Sequence, residues 1–312
     1  MYKKIVVFLL LSLFTGVIYA QLDKLRAAYI FTTQQDKLNL DSARILINEA
    51  SVFPETMNDA QTWYFRGFIY KELFKRKQAA SREAKNAEEA FKSCRKSIEL
   101  DSTADNKANN VQIIKSLSAL SNNTFGETLD TINYPKALEC LALQKKLVKF
   151  LKPAASMDSI EVNYEGIMGS YFQMIYEKNP KKNTKFINLA EEAYNKVLIL
   201  EPKNISANYN MGIIYYNQAV SLIMNKLDYD FDLATLNDIQ DEALSWFKKS
   251  LPYMEKAYQL NPRRKETLIG LSGIYYSLHE NDKSQQFQKL SQDMDGQIEK
   301  KDNQKEIDKG NH

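Results

Sequence analysis

Two stretches of this chain are written to one plan. Val197 to Ala219 reads VLILEPKNISANYNMGIIYYNQA, and Lys256 to Leu278 reads KAYQLNPRRKETLIGLSGIYYSL. Each has an apolar ending, a proline, a polar gap, and an aromatic-rich run with a glycine inside it. A unit this short cannot bury its apolar face alone. Copies must stack on one another, and that requirement constrains the fold more than any other feature of the chain.

The glycine recurs with an aromatic three residues later. The instances are Trp63-x-x-Arg66-Gly67-x-x-Tyr70, Asn208-x-x-Met211-Gly212-x-x-Tyr215 and Ile269-x-x-Ser272-Gly273-x-x-Tyr276, with a weaker Glu165-x-x-Met168-Gly169-x-x-Phe172. Downstream, helices close alike, at Leu100-Asp101-Ser102, Leu200-Glu201-Pro202 and Leu260-Asn261-Pro262. Small residues precede those endings, in Ala90-x-x-x-Cys94, Ala190-x-x-x-Tyr194 and Ser250-x-x-x-Met254, and Ala257 follows in the last of them. Glycine lowers helix propensity. It is tolerated here if it lets a second helix approach closely, with the small residue doing the same from the other side. Pro202 and Pro262 then stop the return helix.

These residues resemble the tetratricopeptide repeat, whose pattern is W-x₂-L-G-x₂-Y, then A-x₃-F, then P. The resemblance implies an all-α, right-handed superhelical solenoid of antiparallel helix pairs, with the repeat-packing roles at Gly67, Gly169, Gly212, Gly273, Ala90, Ala190, Ala257, Pro202 and Pro262. The spacing departs from the 34-residue unit. Gly67 to Ala90 is about twice the family's gap, and Gly212 to Ser250 is longer still. Arg66 stands where the family has leucine, and Ser102 where it has proline.

Apolar residues recur at three and four, as in Ile205, Tyr209, Ile213 and Tyr216, and nothing alternates like a strand. About six hairpins are predicted. They run from Leu22 to Phe53, Asn58 to Asp101, Asp105 to Leu151, Ile160 to Leu200, Ile205 to Leu260, and Lys265 to about Asp293. The third is expected to break at Asn122–Gly126 and again at Asn133–Pro135. Solenoid residues then span 21–293, and residues 294–312 read as a polar tail unable to bury a face.

The N-terminus has Lys3 and Lys4, an apolar run from Ile5 to Phe14, and Ile18-Tyr19-Ala20. This is the order of a secretory signal over residues 1–20, so the expected mature chain starts at Gln21 and is exported, to the periplasm or beyond. No cysteine near residue 20 offers a lipidation site, and no later segment is apolar enough to insert in a membrane. Setting Lys3 and Lys4 aside, the 42 basic residues fall to 40 against 39 acidic ones. That balance offers no field for nucleic acid.

Candidate chemistry is sparse. His279 and the terminal His312 are the two histidines. No nucleophile, phosphate-loop or metalloprotease motif occurs, so neither catalysis nor a cofactor is expected. Cys94 and Cys140 fall on apolar helical faces and read as buried small hydrophobes, a bridge between them being the alternative. Asp228, Asp230 and Asp232 alternate like a calcium loop, but Leu233 and Ile239 occupy its glycine and glutamate positions. Asp-Ser or Asp-Thr pairs beginning at Asp41, Asp101, Asp130 and Asp158 fit helix capping, or else the O-glycosylation sites of some exported Gram-negative proteins.

The family places the first helix of each pair on an inner surface. By phase, that surface holds Tyr64, Phe68 and Lys71, then Asn163 and Gln173, then Tyr209, Ile213 and Tyr216. Tyr64 and Phe68 fall where the family's clamp for peptide C-termini wants lysine and asparagine, so its ligand does not carry over. The sequence therefore reads as an exported scaffold that binds another protein or a peptide segment. The alternative is an accessory protein that binds a glycan or small molecule on stacked tyrosines.

Overall fold

The structure, a computed structural model, describes residues 26–28, 30, 39–76, 84–226 and 233–294. The expected signal sequence, the Asp228–Asp232 run and the expected C-terminal tail from residue 295 onward lie outside the described residues. Every regular element among the described residues is a helix. The chain forms two compact units divided between Met157 and Asp158.

The first unit begins with a described turn of α1 (26–28). It continues with α2 (Leu40–Val52), α3 (Ala60–Lys75), α4 (Ala84–Leu100), α5 (Lys107–Thr128) and α6 (Tyr134–Leu151). Helix starts follow local chemistry. The side chain of Asn39 accepts from Ser42 N, and that of Asp59 accepts from Gln61 N, so each caps an otherwise unpaired amide. Asp101 accepts from Asn106 N at 2.7 Å, and Asp130 from Ile132 N at 2.7 Å and Asn133 N at 2.6 Å. Two of the Asp-Ser/Thr pairs are thus turn-forming residues.

Helix α5 runs unbroken through Asn122–Gly126, which corrects the predicted break. Phe125 is buried there, and Thr124 and Thr128 donate their hydroxyls to the carbonyls of Leu120 and Thr124. Burial of the aromatic outweighs the weak helix propensity of the asparagines.

In the second pair, a Cβ on Gly67 would lie 2.6 Å from Cys94 Sγ and 3.4 Å from the Ala90 carbonyl. In the third, Ser121 takes the glycine's place and donates to the Cys140 carbonyl at 3.2 Å. Both cysteines are free and buried. Burial pushes the Cys94 thiol up to about 12 and that of Cys140 up to about 11. Such thiols act as packing groups, not nucleophiles.

Arg66, which stands where the tetratricopeptide pattern has leucine, is the polar centre of this unit. Its guanidinium donates to Asn48 Oδ1 at 3.1 Å, Ser93 Oγ at 2.6 Å and Glu89 Oε2 at 2.8 Å. It also lies 4.5 Å from the Tyr70 ring centroid. One side chain therefore ties α2, α3 and α4 together.

The second unit holds α7 (Met157–Lys178), α8 (Thr184–Leu200), α9 (Ile205–Lys226), α10 (Leu233–Leu260), α11 (Lys265–Ser277) and α12 (281–294). The long interval between Gly212 and Ser250 is taken up mostly by helix, since α9 has 22 residues and α10 has 28. Pro252 sits inside α10 on its exposed side, where the carbonyl it leaves unpaired can be hydrated. A Cβ on Gly169 would lie 2.7 Å from Tyr194 Cε1, and one on Gly212 would lie 2.5 Å from Met254 Cγ. Each glycine thus faces the residue four after the small one in the return helix.

The last pair departs from the predicted register. A Cβ on Gly273 would meet the Tyr216 hydroxyl of α9 at 2.8 Å. Ser272 makes the contact with the return helix: Ser284 Oγ donates to its carbonyl at 2.9 Å, just as Ser250 Oγ donates to that of Gly212 at 2.7 Å. Ser272 lies as far from Pro262 as Gly212 does from Pro202. The glycine pointed one residue too far along. α11 then ends with His279 at φ 63°, its N–H on the Tyr276 carbonyl and that of Glu280 on the Tyr275 carbonyl. This is a Schellman closure with histidine in the usual glycine position.

Consecutive pairs in this unit are joined the same way twice. Tyr215 of α9 donates to Glu191 of α8, and Tyr275 of α11 donates to Glu255 of α10. Each ring is covered by the following return helix. Lys249 Nζ is 4.1 Å from the Tyr215 centroid with Trp246 stacked at 5.9 Å, and Lys283 Nζ is 4.7 Å from that of Tyr275 with Phe287 stacked at 5.6 Å. Burial and then the adjacent carboxylate push both phenols above their ordinary range.

Two outcomes follow. Gly212→Ala should lower stability by about 1–3 kcal/mol, because Met254 is met near its root. Gly273→Ala should lower it less, because the Tyr216 hydroxyl can swing aside, and urea unfolding of both variants measures the difference. For Glu89, burial raises the carboxyl, but hydrogen bonds and charge from Arg66 and Lys92 outweigh it, and it titrates below 4.5. Its contribution is complete above that value and is lost as pH falls through the depressed one. Glu89→Gln should therefore be on the order of 1 kcal/mol less stable than the parent at neutral pH. Melting curves run below pH 4.5 should show that gap closing.

Candidate functional site

Helix α7 presents two stripes. Tyr164, Met168, Phe172 and Ile175 face the core. The opposite stripe, Asn163, Gly166 and Ser170, is small or polar at helical spacing and leaves a furrow that ends at Met174. With Asn204, Ser206, Ala207 and Asn210 of the loop and first turns of α9, it bounds a groove of about 620 Å³. Tyr194 and Val197 of α8 form the floor. A Cβ on Gly166 would meet nothing within 4 Å, so the groove is open there.

Tyr194 links packing to groove. Its ring lies against Gly169, and its hydroxyl accepts from Asn210 Nδ2 at 2.8 Å. The same hydroxyl sits 3.1 Å from Ser170 Oγ and 3.3 Å from Gln173 Oε1. Burial raises this phenol, and the bonds with Ser170 and Asn210 counter the effect. The rim is apolar at Ile167 and Met174, which are 44% and 39% exposed. Among the described residues, the lining holds no Asp, Glu, Lys or Arg.

Asn163 lines the groove, and Gln173 borders it through Tyr194. Tyr209, Ile213 and Tyr216 lie on the other flank of α9, half-buried against the core formed with α10 and α11. The Arg264 guanidinium stacks 3.4 Å from the Tyr209 centroid, and Tyr216 meets Phe247 edge-on at 5.6 Å. In the first unit, Tyr64 and Phe68 are half-buried against that unit's core. Lys71 lies 4.4 Å over Phe68 and pairs with Glu72.

Sequence reasoning missed Gly166, Ser170, Asn210 and the Tyr194 hydroxyl. The small-residue stripe on α7 was the available signal for the first two. Tyr194 stands where the repeat has phenylalanine, and its extra oxygen carried the clue.

The described residues are all-helical, with consecutive helices packed on one another in pairs such as α3 with α4, α5 with α6 and α9 with α10. No protein-family model matches the chain, and no curated protein matches it. Among solved structures it is similar to the MamA protein, at 15% identity and a TM-score of 0.32 over 75% of this chain and 94% of that one. It is similar to a human IFIT1 dimer with PPP-AAAA, at 14% identity and a TM-score of 0.31 over 84% of this chain and 58% of that one. It is also similar to the S. pombe nuclear import adaptor Nro1, at 12% identity and a TM-score of 0.30 over 88% of this chain and 93% of that one.

Truncating Tyr216 to serine opens space beside Phe247 and should cost about 2 kcal/mol. Asn163→Ala, in the exposed groove, should stay within about 0.5 kcal/mol of the parent. Parallel thermal melts of the two variants check this.

Proposed function

We propose that this chain is an exported, non-catalytic scaffold that captures an extended, uncharged segment of a partner protein in the α7–α9 groove. The observation that supports it most is the lining. An extended peptide needs partners for its backbone amides and a place for apolar side chains. Asn163 and the Oδ1 of Asn210 offer the first, and Ile167 and Met174 the second. A groove whose described lining holds no lysine or arginine favours a neutral peptide over an RNA, whose phosphates demand cations. Tyr64, Phe68, Lys71, Tyr209, Ile213 and Tyr216 are assigned a secondary part through their exposed edges.

Export rests on the order of residues 1–20. Among the described residues, no helix is long and apolar enough to cross a membrane. Residues that could hold a metal do not cluster there either, and His279 closes a helix.

Gly166→Phe tests the groove. It places a ring in open space and touches no packing, so melting should be unchanged while capture of a displayed peptide library falls at least tenfold. Undiminished capture would move recognition elsewhere. The intact mass of protein recovered from the cell envelope should correspond to a chain starting at Gln21, and a chain retaining Met1 would argue against export.

A further inference from the structure

The second unit holds another recess, of about 300 Å³, bounded by the end of α7 and by α8, α9 and α10. Its apolar walls are Tyr176, Ile187, Ile214 and the half-buried Trp246. Its polar groups are Thr184, Asn188, Glu191 and Gln218. The side chains of Thr184, Asn188 and Gln218 make no hydrogen bond to any described residue, so their capacity is unspent. Glu191 is held in place: its Oε1 accepts from the Tyr215 hydroxyl and lies 3.7 Å from Lys249 Nζ. Its Oε2 is left to accept from elsewhere.

We propose that this recess binds one pyranose ring of a neutral sugar, at a site separate from the groove. A pyranose has an apolar C–H face and a rim of hydroxyls that both donate and accept. The aromatic walls suit the face. Two side-chain amides, a hydroxyl and a fixed carboxylate oxygen suit the rim, because amides offer donors and acceptors together while the carboxylate only accepts. Other ligand classes fit less well. An anion would meet Glu191. A cation gains little from a carboxylate that Lys249 already balances. A wholly apolar ligand would strip water from three polar side chains and leave them unpaired. The volume lies at the low end for small-molecule sites and accommodates a single ring. The same chemistry serves a free sugar and one unit of a glycan chain.

The chain has two tryptophans, so Trp63→Phe leaves Trp246 as the sole reporter. The mature chain in that background is titrated with D-glucose, D-galactose, D-mannose and N-acetyl-D-glucosamine, and with oligomers of each. Concentrations reach about 50 mM, far above a millimolar dissociation constant. At least one sugar should give a saturable fluorescence change. Asn188→Ala and Gln218→Leu should each weaken it at least tenfold without moving the melting temperature. If either variant unfolds, Thr184→Val on the exposed rim takes its place, with a weakening of several-fold expected. Equal affinity for monomer and oligomer identifies a free sugar, and tightening with length identifies a glycan chain. The proposal is overturned if no sugar gives a saturable change, or if the change survives the substitutions. The Gly166→Phe variant should bind sugar normally, so this result and that for the groove are read separately.

Discussion

The structure depends on the closeness of the two helices in each pair. At Gly67, Gly169 and Gly212 there is no room for even one carbon, because a side chain of the return helix already occupies the place. Each glycine gives up helix propensity and gains a dense interhelical contact in return. The rest of the architecture follows. The facing residue must be long enough to fill the gap, its neighbour four residues earlier must be small, and the opposite side of the first helix is then free of packing duties.

That freedom is what makes a site. In α7 the packing work is done by Gly169 and the Tyr164–Met168–Phe172 stripe, and the other stripe is open. Tyr194 ties the two sides, because the ring that fills the glycine gap carries a hydroxyl that reaches Ser170 and Asn210. In the first unit the corresponding residue is Cys94, which is too short to reach through, and the polar chemistry there is concentrated on Arg66 instead. The same repeat position therefore yields a structural thiol in one pair and a groove-forming phenol in another.

The helix pairs were legible because glycine, small residue and proline each report a backbone demand, and backbone demands are local. The register of the last pair was misread for a related reason. Gly273 is the more conspicuous residue, but Ser272 is small enough for the contact, and only its distance from Pro262 marked it. The uninterrupted α5 was hidden because asparagine and glycine at 122–126 look like a turn, while the burial of Phe125 that overrides them is a tertiary fact. The inner-surface tyrosines were assigned from phase alone. Phase could not show that α10 and α11 would cover one flank of α9, where Arg264 and Phe247 meet them.

The paired tyrosine–glutamate bonds have a consequence for how the second unit comes apart. Each bond crosses from one hairpin to the one before it, and each ring is held down by the hairpin's own return helix. Removing α12 from Tyr275 would uncover a phenol whose partner, Glu255, belongs to α10. Opening at the C-terminal end therefore cannot stop neatly within one pair, because the broken bond lies on its neighbour. Such coupling turns a row of repeats into a cooperative block whose edge is reinforced, with amide protection shared between neighbouring hairpins instead of fraying smoothly inward.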